Sequence, residues 1–516
     1  MKTNDLSRRQ FLRLLAATAA LSGTGLGMGC AFAQTAPSRA VSQPSLEDVQ
    51  SGPPQGPWRR LFLDAAVVEQ QQGLTRVFHA AEKHPGNPVI QADKPWESVS
   101  AITGPYVYGT VLPEGDKLRL WYQILNQGNH VGYAESRDGI HWEKPELGII
   151  EYKGSKANNL CVSAFHPEVT GGECHNPSVI RCPQAADPQK RYALYGFDGQ
   201  AGHARVAFSP DGLHWNYAPD TDKQGLFTSS DVVNFFYDPY QHRYTATWKT
   251  HNRRGRAVGI AWSTDGLSWT KPFDGPVFVA DDLDPDATQI YGMPAFPYQG
   301  LYVGLPWIYG ARYFKSGEYS VKKLHEAQAD SPRTMEVQLA WSWDLINWTR
   351  PPERQQFIPR GAKGQWDGGM IVTARAPVPV GDKLHFYYGG CDGLHDDKRV
   401  NAAIGLATLR LDGFCSLRAG NTEGWLISRR EPLRQPVVTI NARTGTDGHV
   451  VAEILDRHNR VLRGFSKQDC ATFHGDAVGH ELRWQSGQFA ARQPADDYKL
   501  RFWLKNAELF SYLPNG

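Results

Sequence analysis

The sequence predicts an all-β chain: a five-bladed β-propeller followed by a small C-terminal β-sandwich. Three observations carry this. A short turn motif recurs as "SRDGIHWEKP" at Ser136, "SPDGLHWNYAP" at Ser209, "STDGLSWTKP" at Ser263 and "SWDLINWTRP" at Ser342. Each copy follows a β-rich run ("VGYAES", "ARVAFS", "VGIAWS", "VQLAWS"), and a fifth run, "IGLATLRLDGF", ends on Phe414 where the others have Trp. Finally, the chain is rich in turn-forming Gly (51) and in Trp (16), and no long span shows a sustained 3.6-residue apolar stripe.

The elements follow in chain order. Residues 1–33 read as an export leader: "SRRQFLR" precedes an apolar run and "AFA" ends it, a twin-arginine pattern with cleavage before Gln34. The expected location is periplasmic or secreted. A lipid anchor on Cys30 competes with cleavage, against a Gly27 where a lipobox prefers leucine. Residues 34–57, rich in Ser, Pro and Gln, read as a linker. Residues 58–424 hold the repeats. Each unit opens with an inner hairpin: "YVYGTVLPEGDKLRLWYQ" at Tyr106, "NPSVIRCPQAADPQKRYALYGF" at Asn176, "VVNFFYDPYQHRYTATW" at Val232, "MPAFPYQGLYVGLPW" at Met293 and "ARAPVPVGDKLHFYYGG" at Ala374. The aromatic anchors Trp142, Trp215, Trp269, Trp348 and Phe414 are 54 to 79 residues apart. Such a period means units that bury their faces only against one another. Residues 425–516 alternate like strands without the turn motif and read as the sandwich.

Composition narrows the function. A net charge of +2 and the absence of a long basic run argue against a nucleic-acid groove; "NRRGR" (Asn252 to Arg256) reads as a solvated hairpin tip. Beyond the leader no stretch is long and apolar enough to span a membrane. Phosphate loops, nucleophile elbows and His-x-x-x-His metal pairs are missing. No cofactor or metal is required, although carboxylates lining a central channel would permit a structural calcium. Six cysteines follow the leader, with no zinc spacing; disulfides and buried thiols remain equal alternatives. The sequence sets no oligomeric state.

The starts of inner strands converge on a propeller axis, so acids just upstream of them are candidates for a common funnel. Each unit supplies one: Glu97 in "KPWESVS", Glu173 in "GGECHNP", Asp231 in "SSDVVNF", Asp286 in "DPDATQIYGMP" and Asp367 in "QWDGGMI". Crowded carboxylates raise one another's pKa, which suits acid catalysis. Each also has a plainer reading as a turn cap or solvated loop residue. His141 and His214, inside the repeated turn, read as structural.

The motifs "LFLD", "GLTRVFHAAEKHPGNPVI", "LGIIEYKGSKANNL", "QIYGMPAFPYQGLYVGL", "WDGGMI" and "FYYGG" carry a resemblance over nearly all of the mature chain. It resembles the five-bladed propeller glycoside hydrolases of families 32 and 43, and more closely a set of exported bacterial family 32-like proteins. The N-D-P-N-G and R-D-P motifs of family 32 are absent, so the resemblance does not imply fructose as substrate. It implies a glycosidase acting on a furanoside or related oligosaccharide. Transferring the families' blade order implies Glu97 as base or nucleophile, Asp231 as the orienting and pKa-tuning carboxylate and Asp286 as the acid, with Glu173 as an alternative. Trp366 and Asp367 read as a sugar platform with its hydrogen-bond acceptor. Trp96, His175, Asn176 and Tyr291 complete the expected substrate-binding set. Two alternatives stay open: a non-catalytic carbohydrate-binding propeller, and a glycoside phosphorylase with Arg312 or Arg375 holding phosphate.

Overall fold

The computed structural model describes residues 58–98, 102–125, 130–163, 174–182, 185–199, 202–217, 225–285, 288–310, 333–395, 397–485, 489 and 498–514. The leader, the linker, Cys30, Glu173, Asp286 and Arg312 lie outside the described residues.

The fold is all-β with a β-propeller arrangement. Alternating apolar runs pair through tight turns into antiparallel meanders, the cheapest way to satisfy neighbouring backbone groups. One four-stranded sheet runs Pro105–Glu114, Lys117–Ile124, His130–Ser136 and Leu160–Val162. A second runs Cys174–Arg181, Tyr192–Asp198, His203–Ser209 and Asn216–Tyr217. A third, of three strands, joins Val233–Asp238, Arg243–Asn252 and Gly255–Ser263. A fourth joins Ala295–Tyr298, Leu301–Gly304, Ala340–Ser342 and Trp348–Thr349.

The expected count of five separate blades is therefore corrected to four discrete sheets. The strands of the fifth unit, Met370–Thr373, Lys383–Cys391 and Val400–Arg410, belong to a ten-stranded sheet. That sheet also takes in Gln289–Gly292, Trp307–Tyr309 and Met335–Gln338. Backbone pairing between Met335 and Met370 fuses what the repeat pattern separates.

Apolar cores lie between successive sheets. Trp121, Tyr133, Val179 and Leu194 fill the space between the first and second, and Ile180, Tyr195, Phe235 and Ala246 that between the second and third. Polar links run from one repeat unit to the next. Thr110 Oγ1 accepts from the Val179 N–H (2.9 Å), and Ser178 Oγ accepts from the Phe235 N–H (3.1 Å). Thr247 Oγ1 donates to the Met293 carbonyl (2.6 Å), and the Trp307 indole to Thr373 Oγ1 (3.2 Å). The Arg375 N–H then reaches Gly109 on the first sheet (3.0 Å), so the series returns to its start.

The repeated turn is a docking device. In its first copy Asp138 Oδ1 accepts from the Ile140 and His141 N–H groups (both 2.8 Å), and Ser136 Oγ accepts from Gly139 N–H (2.9 Å). Gly139 has φ 77°, the left-handed conformation that glycine adopts without strain. Its carbonyl accepts from Tyr387 of the neighbouring sheet (2.8 Å). The equivalent carbonyls of Gly212 and Gly266 accept from Trp121 (2.8 Å) and Tyr195 (3.1 Å). His141 and His214 each bond the turn aspartate, Asp138 (2.6 Å) and Asp211 (2.7 Å), as expected of structural residues.

The C-terminal strands, expected to form a sandwich, are joined by continuous backbone pairing. Val437–Leu455, Asp476–Arg483 and Lys499–Pro514 lie in one eight-stranded sheet with Cys415–Ala419 and Gly424–Ser428. Three early strands, Arg60–Leu61, Val68–Gln72 and Thr75–Phe78, complete it. The sheet thus draws strands from both sides of residue 425. All six described cysteines are free thiols, and all but Cys182 are buried.

Candidate functional site

Three basic and several phenolic side chains gather around Asp231, two residues before the strand Val233–Asp238. Its carboxylate forms an ion pair with Lys249 and accepts from Ser230 Oγ (2.8 Å). The Asp231 side chain is 41% exposed and that of Lys249 6%, so the carboxylate is reachable while its counter-charge is enclosed. Burial pushes the carboxyl up, but Lys249, Ser230 and His175 outweigh it and hold it below the usual carboxylate range. Burial also draws the Lys249 ammonium down, against the pull of Asp231.

Lys249 comes from Arg243–Asn252, where alternation puts it on the same face as His251. Its Nζ lies 4.4 Å from the centre of the Tyr291 ring. Arg256, opposite His251 on the partner strand, lies over Tyr291 (5.3 Å) and Tyr309 (5.1 Å). Gln289 Oε1 fixes Arg256 through Nη1 (2.9 Å). His395 Nε2 bonds the Tyr291 phenol at 3.0 Å. Tyr106 and Tyr108 meet edge to face at 4.7 Å, and Tyr108 stacks on Trp307 at 5.3 Å. Burial, reinforced by the Asp231 charge, pushes the Tyr106, Tyr108 and Tyr291 phenols far up, so they stay protonated and able to donate.

The sequence candidates divide sharply. Asp231 and Tyr291 share Lys249 as a partner, and His175 is near enough to stabilise the Asp231 charge. Asn176 is buried at the start of its strand with φ 57°, its N–H bonded to Gln123 Oε1 (2.9 Å).

Glu97 lies elsewhere. Its side chain is wholly enclosed; both oxygens accept from Lys144 Nζ (2.9 Å), one from Tyr122 Oη (2.8 Å) and the other from the Asp93 N–H (3.1 Å). None of these partners contacts Asp231. Neighbouring Trp96 donates to Asn159 (2.9 Å). The pair staples residues 91–98 to the first sheet, which sets the enclosed Glu97 apart from the half-exposed Asp231.

The Trp366–Asp367 pair is likewise engaged within the protein. Asp367 is buried, bonded to Lys83 (2.5 Å) and Tyr388 (3.0 Å). Trp366 already stacks on Tyr388 at 5.6 Å, and its edge fits over Gly390 and Gly405, where a Cβ would approach within 2.6 and 2.8 Å of the indole. Arg375, the proposed phosphate ligand, is drawn down to about 10 by burial.

Lys249, His251, Arg256, Tyr309 and His395 had escaped the sequence reading. The "NRRGR" run expected to be a solvated tip in fact delivers Arg256 to the Tyr291 wall. Alternation was the available signal: Lys249 and His251 are two apart on one strand face, and Arg256 faces them across a tight turn. Among the described residues no group of three or more His, Cys, Asp and Glu side chains converges to hold a metal ion. Among them, too, no helix is long and apolar enough to cross a membrane.

No protein-family model matches the chain, and no curated protein matches it. Solved structures resemble it at low identity. A glycosyl hydrolase from Bacteroides ovatus is 16% identical over 65% of this chain and 94% of its own, with a TM-score of 0.43. A structure described under mannoside phosphorylases of the GH130 family, which contains glycoside hydrolases targeting β-1,2 mannosidic linkages in Candida mannan, is 17% identical over 65% and 94%, at 0.41. An N-acetylgalactosamine deacetylase from F. plautii, in complex with blood group B trisaccharide, is 15% identical over 66% and 97%, at 0.40. In structure, the chain is similar to glycoside hydrolase-like propeller proteins.

Proposed function

We propose that the chain is an exported glycoside hydrolase acting on a furanoside or related oligosaccharide, with Asp231 at its reacting centre. The observation that carries this is an exposed carboxylate held ionised by an enclosed lysine beside a wall of protonated phenols. An ionised carboxylate is what a glycosidase needs to activate water, attack the anomeric carbon or stabilise an oxocarbenium-like transition state. The low pKa of Asp231 suits those roles and disqualifies it as the acid. Tyr291, kept protonated, donates hydrogen bonds to sugar oxygens. Asp286 remains the proposed acid and Glu173 its alternative; both follow from their places before inner strands. The link to families 32 and 43 is part of the same proposal.

A second reading has support of its own. Lys249 and Arg256, rather than Arg312 or Arg375, would seat phosphate in a glycoside phosphorylase. The deciding experiment is turnover of nitrophenyl furanosides and pyranosides with and without phosphate, with products identified. Free sugar released without phosphate supports hydrolysis. Sugar phosphate formed only with phosphate supports phosphorolysis. Binding without turnover leaves a carbohydrate-binding propeller.

A further inference from the structure

Among the described residues, the charge around Asp231 does not balance. Arg243–Asn252 and Gly255–Ser263 pair so that His251 opposes Arg256 and Lys249 opposes Val258. Directly opposed residues and residues two apart share a face, so Lys249, His251 and Arg256 form one basic row. Asp231 takes Lys249. Among the described residues Arg256 has no carboxylate partner; its side-chain hydrogen bond goes to the neutral amide of Gln289, at 2.9 Å. Its guanidinium rests on two aromatic faces, at 5.3 Å and 5.1 Å. Cation–π contact holds the guanidinium in place but cancels no charge.

Among the described residues, two fixed cations thus lie beside the Asp231 carboxylate, with a histidine that adds a third when protonated. Clefts lined by one sign of charge concentrate ligands of the other. Arg256 bonds Gln289 through Nη1, which leaves the rest of a planar donor fork, the shape that matches a planar carboxylate. Lys249 and Arg256 lie over the same Tyr291 ring, so Arg256 and the Asp231–Lys249 pair belong to one site.

We propose that Arg256, supported by Lys249 and His251, is a subsite for a carboxylate carried by the sugar, and that the substrates are uronic-acid-containing glycosides. This rests on reading the Asp231 site as a carbohydrate site. The test is calorimetric binding of the full chain to mixed galacturono- and glucurono-oligosaccharides, to the same pools after chemical reduction of their carboxylates to alcohols, to sulfated oligosaccharides, and to inorganic phosphate. Acidic pools should bind about tenfold or more tightly than their reduced twins, a difference of about 1.4 kcal/mol. The preference should weaken with salt, vanish in R256M and survive in part in R256K. Thermal melts identify a variant that fails to fold, in which case R256Q takes the place of R256M. Equal binding of acidic and reduced pools overturns the subsite and leaves the carbohydrate reading standing, as does a preference that persists in R256M. Binding of phosphate or sulfated sugars alone overturns the carboxylate assignment. If no glycan binds, both readings fail.

Discussion

At the residue scale, a similar chemical feature led to opposite outcomes. Glu97 and Asp231 both precede inner hairpins and both pair with a lysine. Glu97 is sealed with Lys144 and Tyr122, whereas Asp231 keeps a solvent-facing side. Substituting Glu97→Gln leaves the enclosed Lys144 ammonium without its main partner and should cost about 3–5 kcal/mol. Chemical denaturation checks this, and activity per folded molecule should not change. Asp231→Asn should cut kcat by about 10²–10⁴, the range lost when a positioned acid or base is removed, with little change in KM. The pH profile tests the Lys249 effect directly. The Asp231 pKa is depressed, so activity that needs the carboxylate should persist to below about pH 4. In Lys249→Met the depression disappears and burial still raises the pKa, so the acidic limb should move to higher pH. A stationary limb would remove Asp231 as the titrating group.

At the element scale, the repeated turn explains more of the architecture than any single strand. Burial pushes the Asp211 and Asp265 carboxyls up, but backbone N–H donors within the turn outweigh it and hold both low. At Asp138 the His141 hydrogen bond is the largest cause of the same lowering. A carboxyl whose folded pKa lies below its unfolded value stabilises above the unfolded pKa and loses that contribution as pH falls through the folded one. Three such turns predict progressive thermal destabilisation below about pH 4. The triple substitution D138N/D211N/D265N should start from a lower Tm at pH 6 and fall less between pH 6 and pH 2. The turn itself was readable because its Ser–x–Asp–Gly chemistry is local. The partner that docks it, Tyr387 for Gly139 and Tyr195 for Gly266, comes from another sheet and leaves no local trace.

At the scale of the whole molecule, the two ends of the described chain are one structure. Strand Lys499–Pro514 pairs with Arg60–Leu61, Cys415–Ala419, Gly424–Ser428 and Val437–Leu455. Val68–Gln72 and Thr75–Phe78 then cover Gly424–Ser428 and Cys415–Ala419. Glu82–Lys83 and Ile102–Thr103 pair with Val400–Arg410. Removing residues up to Phe78 should therefore expose three strand edges and part of a shared core. The truncated chain should aggregate or melt well below the full one in a thermal scan with light scattering. A truncation that melts like the full chain would show that the early strands add nothing to the fold.

By itself the sequence determined the all-β class, the inner hairpins, the turn geometry and Asp231 as a candidate, because periodicity, glycine placement and side-chain capping act over a few residues. It could not settle which acids share a site. Glu97 and Asp231 are alike in local context, and only long-range packing seals one beneath Lys144 and opens the other beside Tyr291. Nor could it show that Met335 pairs with Met370, merging the fifth unit into a larger sheet, or that residues 60–78 complete the C-terminal sheet. Strand pairing across hundreds of residues depends on which edges tertiary folding brings together, and many registers satisfy the same alternation. The same limit hid Arg256: a basic residue near a hairpin tip is solvated unless another sheet supplies the aromatic wall, and here Tyr291 and Tyr309 do.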